Sequence, residues 1–132
     1  MTPEAAALAR HRLARARDML RDADLLAASQ STESAVNRYY YAAFHAARAL
    51  LATRDLDSSK HSGVIALFQR EFVKTGLVAA DVAKALPQTF EKRQNSDYAD
   101  FAQVSAQEVD RLKTSVRQFV ITCARVFESL PQ

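Results

Sequence analysis

Helix breakers are nearly absent from this chain, and that fact narrows its possible folds more than any other. Two glycines and three prolines punctuate 132 residues. Between them the apolar residues recur every three or four positions, the period of an α-helix and not of a strand. The expected fold is all-α: an antiparallel up-and-down bundle of four long helices plus one short helix, joined by short loops. With no internal repeat and no low-complexity linker, residues 1–132 read as a single domain, long enough to bury one core without disulfides or metal.

The first helix is expected from Pro3, a favoured first-turn residue, to Ala28. Its apolar stripe is Ala9, Leu13, Ala16, Leu20, Ala23 and Ala27. Ser29 to Thr32 make a turn, and Ser31 or Thr32 caps a second helix that ends near Thr53. The buried line of that helix is Val36, Tyr39 or Tyr40, Ala43, Ala46 and Leu50. A polar loop from Arg54 to Lys60 leads into a short third helix bearing Val64, Ile65, Phe68 and Phe72. Gly76 stops it, because glycine tolerates a left-handed backbone. A fourth helix should begin near Ala80, bend or restart at Pro87 and reach Asn95, with Ser96 to Val104 as an irregular connection. Ser105-Ala106-Gln107-Glu108 has the capping-box pattern and opens the last helix, whose stripe is Val109, Leu112, Val116, Phe119, Cys123, Val126 and Leu130.

Composition excludes several classes of function. Eighteen Lys and Arg against fifteen Asp and Glu leave a charge of +3, too little for net charge alone to argue nucleic-acid binding. The single cysteine, Cys123, lies in an apolar helical pattern and reads as a buried thiol of a reducing compartment. Neither a signal-peptide core nor an apolar run of roughly 20 residues is present, so the expected location is the cytoplasm and no membrane is expected as partner. No metal-ligand spacing stands out, and no cofactor is implied.

Two polar columns interrupt this apolar pattern. In the run Asn37 to Arg48, the residues Arg38, Tyr41 and His45 share one helical face, while Ala42, Ala43, Ala46 and Ala47 leave room for a close neighbour. His45 either lines a cleft facing the fourth helix or bonds a buried carbonyl or hydroxyl. In the fourth helix, the apolar line Val82, Leu86, Phe90 continues into Arg93 and Asp97, with Tyr98 adjacent. A seam that turns polar must pair its charges internally, here as Arg93 with Asp97, or open onto a cleft. Lys60 and His61 begin the third helix, where His61 binds phosphate alongside backbone N–H groups or serves as a cap. His11 lies among arginines with no partner in view.

Four blocks, taken in order, carry a resemblance. They are Arg38-Tyr39-Tyr40-Tyr41-Ala42-Ala43-Phe44-His45-Ala46-Ala47-Arg48-Ala49-Leu50-Leu51, Lys60-His61-Ser62-Gly63-Val64, Phe72-Val73-Lys74-Thr75-Gly76 and Arg93-Gln94-Asn95-Ser96-Asp97-Tyr98. Together they resemble the HEPN superfamily, and more narrowly its small stand-alone bacterial and archaeal members. The resemblance implies an antiparallel helical bundle, a homodimer and a minimal nucleotidyltransferase partner, the two proteins acting as toxin and antitoxin. Active members are metal-independent endoribonucleases whose motif is Arg, a polar residue, a few more residues and His, brought together across the dimer. Arg93 and Gln94 fit that motif, and Tyr98 stands where the nearest toxins place histidine.

On this resemblance Arg93, Asp97 and Tyr98 are the catalytic candidates, and Asn95, Arg38, His45, Lys60 and His61 are candidates for contact with RNA or a nucleotide. Partner enzymes of this class attach nucleotides to a tyrosine near the motif, so Tyr98 is also a candidate modification site. A tyrosine with its ordinary pKa of about 10 is a poor base at neutral pH, where a histidine at about 6.5 is well placed. The spacing Arg-x6-His occurs elsewhere, as Arg38 with His45 and Arg54 with His61. Three functions stay open: an RNA-cleaving toxin silenced by its partner, a non-catalytic nucleotide- or nucleic-acid-binding module docked on a nucleotidyltransferase, and a helical adaptor whose polar columns only specify packing.

Overall fold

In the computed structural model of the chain, which describes the backbone of residues 1–98 and 104–132 and the side chains of 1–96 and 104–132, every regular element is helical. The order is α1 (Pro3–Ala28), α2 (Thr32–Ala52), α3 (His61–Phe68) continued by a π-helical turn (Gln69–Val73), α4 (Ala80–Ala83), α5 (Ala85–Tyr98) and α6 (Ala106–Ser129). The expected helical bundle is what forms.

Capping explains where α1 starts and stops. Thr2 Oγ1 accepts the N–H of Ala5 at 3.0 Å, and Pro3 occupies the first turn. At the other end Gln30 adopts a left-handed backbone at φ 64°. Its N–H reaches the carbonyl of Ala27 at 3.1 Å, and that of Ser31 reaches Leu26 at 2.9 Å, closing the turn into α2. Between these ends α1 buries Ala5, Ala6, Ala9, Leu13, Ala16 and Ala23. Leu20 and Ala27 of the expected stripe are only partly covered.

The central element is α2, which touches α1, α3, α5 and α6. Both Tyr39 and Tyr40 are fully buried, together with Val36, Ala43, Ala46 and Leu50. A helix covered on nearly all sides needs small residues wherever a neighbour crosses closely, which is what its alanines supply. Asp24 on α1 ties three helices together, accepting from Tyr39 Oη of α2 at 2.7 Å and from Arg117 of α6 at 2.5 Å.

After α3, the wider π-turn brings the buried rings of Phe68 and Phe72 into a stack with centroids 5.5 Å apart. Gly76 then takes φ 82°, as its position after the helix predicts. Two expectations need correcting. The fourth helix breaks at Lys84, between α4 and α5, and not at Pro87, which sits in the first turn of α5 where its missing N–H breaks no helical bond. The same helix runs on through Ser96, Asp97 and Tyr98, expected as irregular connection, because none of the three is a glycine or proline and polarity alone does not end a helix.

Ser105 caps α6, its Oγ accepting the N–H of Glu108 at 3.1 Å. The Glu108 carboxylate accepts from Lys92 Nζ at 3.3 Å and so ties α6 to α5. Cys123 is buried, and burial pushes its thiol up, keeping it protonated. No helix among the described residues is long and apolar enough to cross a membrane.

Candidate functional site

Three elements converge on one aromatic cluster. Tyr40, Tyr41 and Phe44 lie within one turn of α2, His61 opens α3, and Phe90 and Arg93 lie one turn apart on α5. Tyr40 Oη stands 2.6 Å from His61 Nδ1. The His61 ring stacks on Phe44 with centroids 4.5 Å apart and planes 16° apart, and Phe90 packs against Tyr40 at 5.5 Å. The Arg93 guanidinium lies 5.4 Å from the Tyr40 ring centre and 5.3 Å from that of Tyr41, within cation–π range of both. Two of the residues singled out from sequence, Arg93 and His61, are thus gathered around the same pair of tyrosines.

The electrostatics of the cluster follow from burial and its cation. His61 is held below its ordinary pKa, first by burial and then by the charges of Arg93 and Arg48, so it is neutral at pH 7. Tyr40 is pushed up by burial and by Tyr41, an effect Arg93 opposes, and remains a neutral phenol. Two neutral groups can then share their bond in two ways. Either the Tyr40 hydroxyl donates to Nδ1, or Nδ1–H donates to the hydroxyl oxygen and leaves the lone pair on Nε2. The second arrangement makes His61 a base whose ring is held by a tyrosine.

Beside the cluster runs an open groove of about 570 Å³ lined by Phe44, Arg48, Asp57, Ser58, Ser59 and His61. Arg48 grips Asp57 with both ends of its fork, Nε to Oδ1 at 3.2 Å and Nη2 to Oδ2 at 2.7 Å. Arg12 of α1 reaches the same carboxylate at 3.5 Å and donates to the Arg48 carbonyl at 3.0 Å. The Arg48 hydrogen bonds hold the Asp57 carboxyl below its usual range. Asp57 Oδ1 also accepts the N–H of Ser58 at 2.8 Å, and Ser58 Oγ accepts that of Lys60 at 3.2 Å. The loop that delivers His61 is therefore held from both sides.

The other candidates fall elsewhere. His45 is half-buried, and its charged neighbours are Arg15 and Arg12 of α1 and Arg48 of α2, not Arg93. Burial first, and then those cations, lower its pKa to about 4. Its expected view of the fourth helix gives way to one of α1. Arg38 is exposed, bonded to Asn37 Oδ1 at 3.2 Å, in a shallow groove with Leu26 and Glu33. Lys60 is exposed just ahead of α3, and Asn95 is exposed on α5. Arg54 does not meet His61: it donates to the Glu71 carbonyl at 3.1 Å and covers the Phe72 ring at 4.6 Å. Asp97 and Tyr98 lie on the last turn of α5, and their side chains, with the expected Arg93–Asp97 pair, lie outside the described residues.

Sequence reasoning missed Tyr40, Phe44 and Phe90 as site residues, and Asp57 entirely. The first two stand one turn apart in the first of the four blocks, a usable signal. Asp57 sits in a loop with no periodicity to betray it. Among the described residues no cluster of three or more His, Cys, Asp or Glu side chains is placed to hold a metal ion.

Comparison with known proteins adds the remaining finding. The family described as HEPN domain matches residues 9–126. A "UPF0332 protein" of Thermotoga maritima is 40% identical over 116 residues, covering 88% of this chain and 88% of the relative. Two proteins of Methanocaldococcus jannaschii are also similar. "Putative toxin MJ0142" is 32% identical over 64% of this chain and 57% of its own length. "Putative toxin MJ0605" is 36% identical over 63% of this chain and 62% of its own length.

Proposed function

The chain belongs to the HEPN domain family, and from that premise we propose that it is the toxin-like component of a HEPN and minimal nucleotidyltransferase pair, cleaving RNA without a metal where α2, α3 and α5 meet. The observation that carries the reading is the placement of Arg93 and His61 around Tyr40 and Tyr41. Similarity to two relatives named as toxins supports it.

Cleavage of this kind uses the 2′-hydroxyl as nucleophile. A base takes its proton, a cation balances the charge gathering on the phosphate, and an acid protonates the departing 5′-oxygen. Neutral His61, with Nδ1–H given to Tyr40, supplies the base at Nε2. Arg93 supplies a permanent cation with a fork suited to phosphate oxygens. Tyr98, on the same helix as Arg93, is assigned the acid, with Asn95 and Asp97 lining the cleft. Its phenol is also the group on which the partner would place a nucleotide, and that modification would silence the site. In this reading the protein is a cytoplasmic homodimer with the Arg93 to Tyr98 segment at its interface.

The test is a gel assay of RNA cleavage in the presence of a metal chelator. Wild type should cleave, and Arg93→Ala and His61→Ala should each lose roughly 100-fold or more. Equal, background-level cleavage by all three sinks the ribonuclease reading. Co-purification with the nucleotidyltransferase of a neighbouring gene tests the pairing.

Tyr98 in the place of a motif histidine favours a second reading, a non-catalytic module that holds a nucleotide or RNA in the same groove. Retained binding with no cleavage would select it.

A further inference from the structure

The polar column of α2 meets the aromatic cluster at Tyr41 and has a pattern of its own beyond it. Arg38, Tyr41, His45 and Arg48 recur at spacings of three, four and three, so they form one surface stripe running about 15 Å along the helix. Arg12 and Arg15 of α1 stand beside it, Arg12 bonded to the Arg48 carbonyl at 3.0 Å and Arg15 the charged group that acts most strongly on His45. Against these four arginines stand two carboxylates, Asp57 clasped by Arg48 and Arg12, and Glu33 in the groove beside Arg38. The stripe and its flank therefore carry more positive than negative charge.

Tyr41 joins this stripe to the groove. Its ring lies 5.3 Å from the Arg93 guanidinium and 6.0 Å from His61 on one side, and 6.0 Å from His45 on the other. A basic track with an aromatic ring set into it is the surface that single-stranded nucleic acid uses, with phosphates on the cations and a base on the ring.

We propose that the stripe Arg38, Tyr41, His45 and Arg48, with Arg12 and Arg15 beside it, carries the sugar-phosphate backbone of a single-stranded RNA away from the groove that His61 lines beside Arg93. The assignment rests on the reading of that groove as an RNA site and adds a second contact region with a defined direction, along α2 toward its start. His45 serves as its reporter. The groups facing it are Arg15, Arg12 and His11 from α1 and Arg48 and Tyr41 from its own helix, and Arg48 in turn holds Asp57 of the loop. Phosphates arriving among those cations favour the imidazolium, so binding takes up a proton at this ring.

The experiment uses the full chain and a short fluorescein-labelled 2′-O-methyl RNA, which lacks the nucleophile and cannot be cleaved. Anisotropy titrations over a range of salt should show binding by wild type. They should show weaker binding by Arg15→Gln/Arg38→Gln, with a salt slope shallower by about 1.4, roughly 0.7 for each lost phosphate contact on a single strand. The NMR titration of His45 should move upward when the RNA is added. Unchanged affinity and slope in the double variant overturns the proposal, as does the absence of wild-type binding. If the variant instead loses a co-purifying nucleotidyltransferase while keeping RNA affinity, the stripe belongs to a protein partner and the proposal is also overturned. Stripe-dependent binding with no cleavage of ordinary RNA by wild type rejects the ribonuclease reading and leaves this one standing.

Discussion

The hydroxyl oxygen of Tyr40 stands 2.6 Å from Nδ1 of His61, while the ring of the same tyrosine lies 5.4 Å from the Arg93 guanidinium. One side chain therefore touches both the base and the cation assigned to the groove. The charge of Arg93 disfavours protonation of His61, second only to burial. Arg93→Gln should raise the His61 pKa toward its ordinary value of about 6.5, and Arg48→Gln should do so less. A two-dimensional NMR pH titration of the imidazole reads both, and an unmoved midpoint in Arg93→Gln would break the link between the two residues.

His45 predicts how stability depends on pH. Its folded pKa of about 4 lies below the ordinary value, so the unfolded chain takes up the proton first. The stabilisation from holding it neutral is complete above about 6.5 and is lost as pH falls toward 4. For a half-buried ring, solvent screening trims this to about 1 to 2 kcal/mol. Urea denaturation at pH 7.5 and at pH 4.5 should show that drop in wild type and a smaller one in His45→Gln.

Asp24 accepts from Tyr39 and from Arg117, joining α1, α2 and α6 through one carboxylate. Tyr39 is fully buried, and loss of its hydroxyl leaves the ring in place while removing a bond to a charged group. Tyr39→Phe should destabilise the protein by about 1.5 to 3 kcal/mol. Thermal melting at neutral pH measures it, and a change within error would show that water replaces the phenol at no cost.

Gly63 is required by the loop before it. A Cβ at that position would lie 2.1 Å from Ser58 Oγ and 2.8 Å from Ser58 Cβ, so Ser58 must move. Ser58 Oγ is also the acceptor for the Lys60 N–H, one residue ahead of His61. Gly63→Ala should cost about 1 to 3 kcal/mol and shift the His61 ring resonances. Adding Ser58→Gly should return part of the lost stability by clearing the space, and chemical denaturation of the single and double variants tests this.

Periodicity placed α1, α2 and α6 well because long amphipathic helices announce their buried face: Pro3 starts α1 and Ser105 caps α6 as expected, while Ser31 stands at the N-cap of α2 without a side-chain capping bond. It misjudged α5, where Ser96, Asp97 and Tyr98 look like loop in composition but continue a helix. The π-turn after Phe68 left no mark in the sequence, since an extra residue in a turn changes no residue type. In the site, Arg93 and His61 could be named individually, yet nothing in their spacing said they would meet at Tyr40. That meeting depends on how α5 and α3 cross α2. Asp57 was illegible because its partners, Arg12 and Arg48, come from two different helices.

The alanines at the α1–α2 contact have an electrical consequence. Ala9 and Ala16 of α1 and Ala43 and Ala46 of α2 are all fully buried, and helices with such small buried side chains can sit near the short end of the roughly 8 to 10 Å range of interaxial distances. The guanidinium of Arg12 shares the Asp57 carboxylate with that of Arg48 on α2, at 3.5 and 2.7 Å, well inside the Debye length of about 8 Å in physiological salt, so their fields add before ions can screen them. A row of uncharged methyl groups thus bears on the local potential over His45, and the spacing between two helices acts on that surface together with the choice of its charged residues.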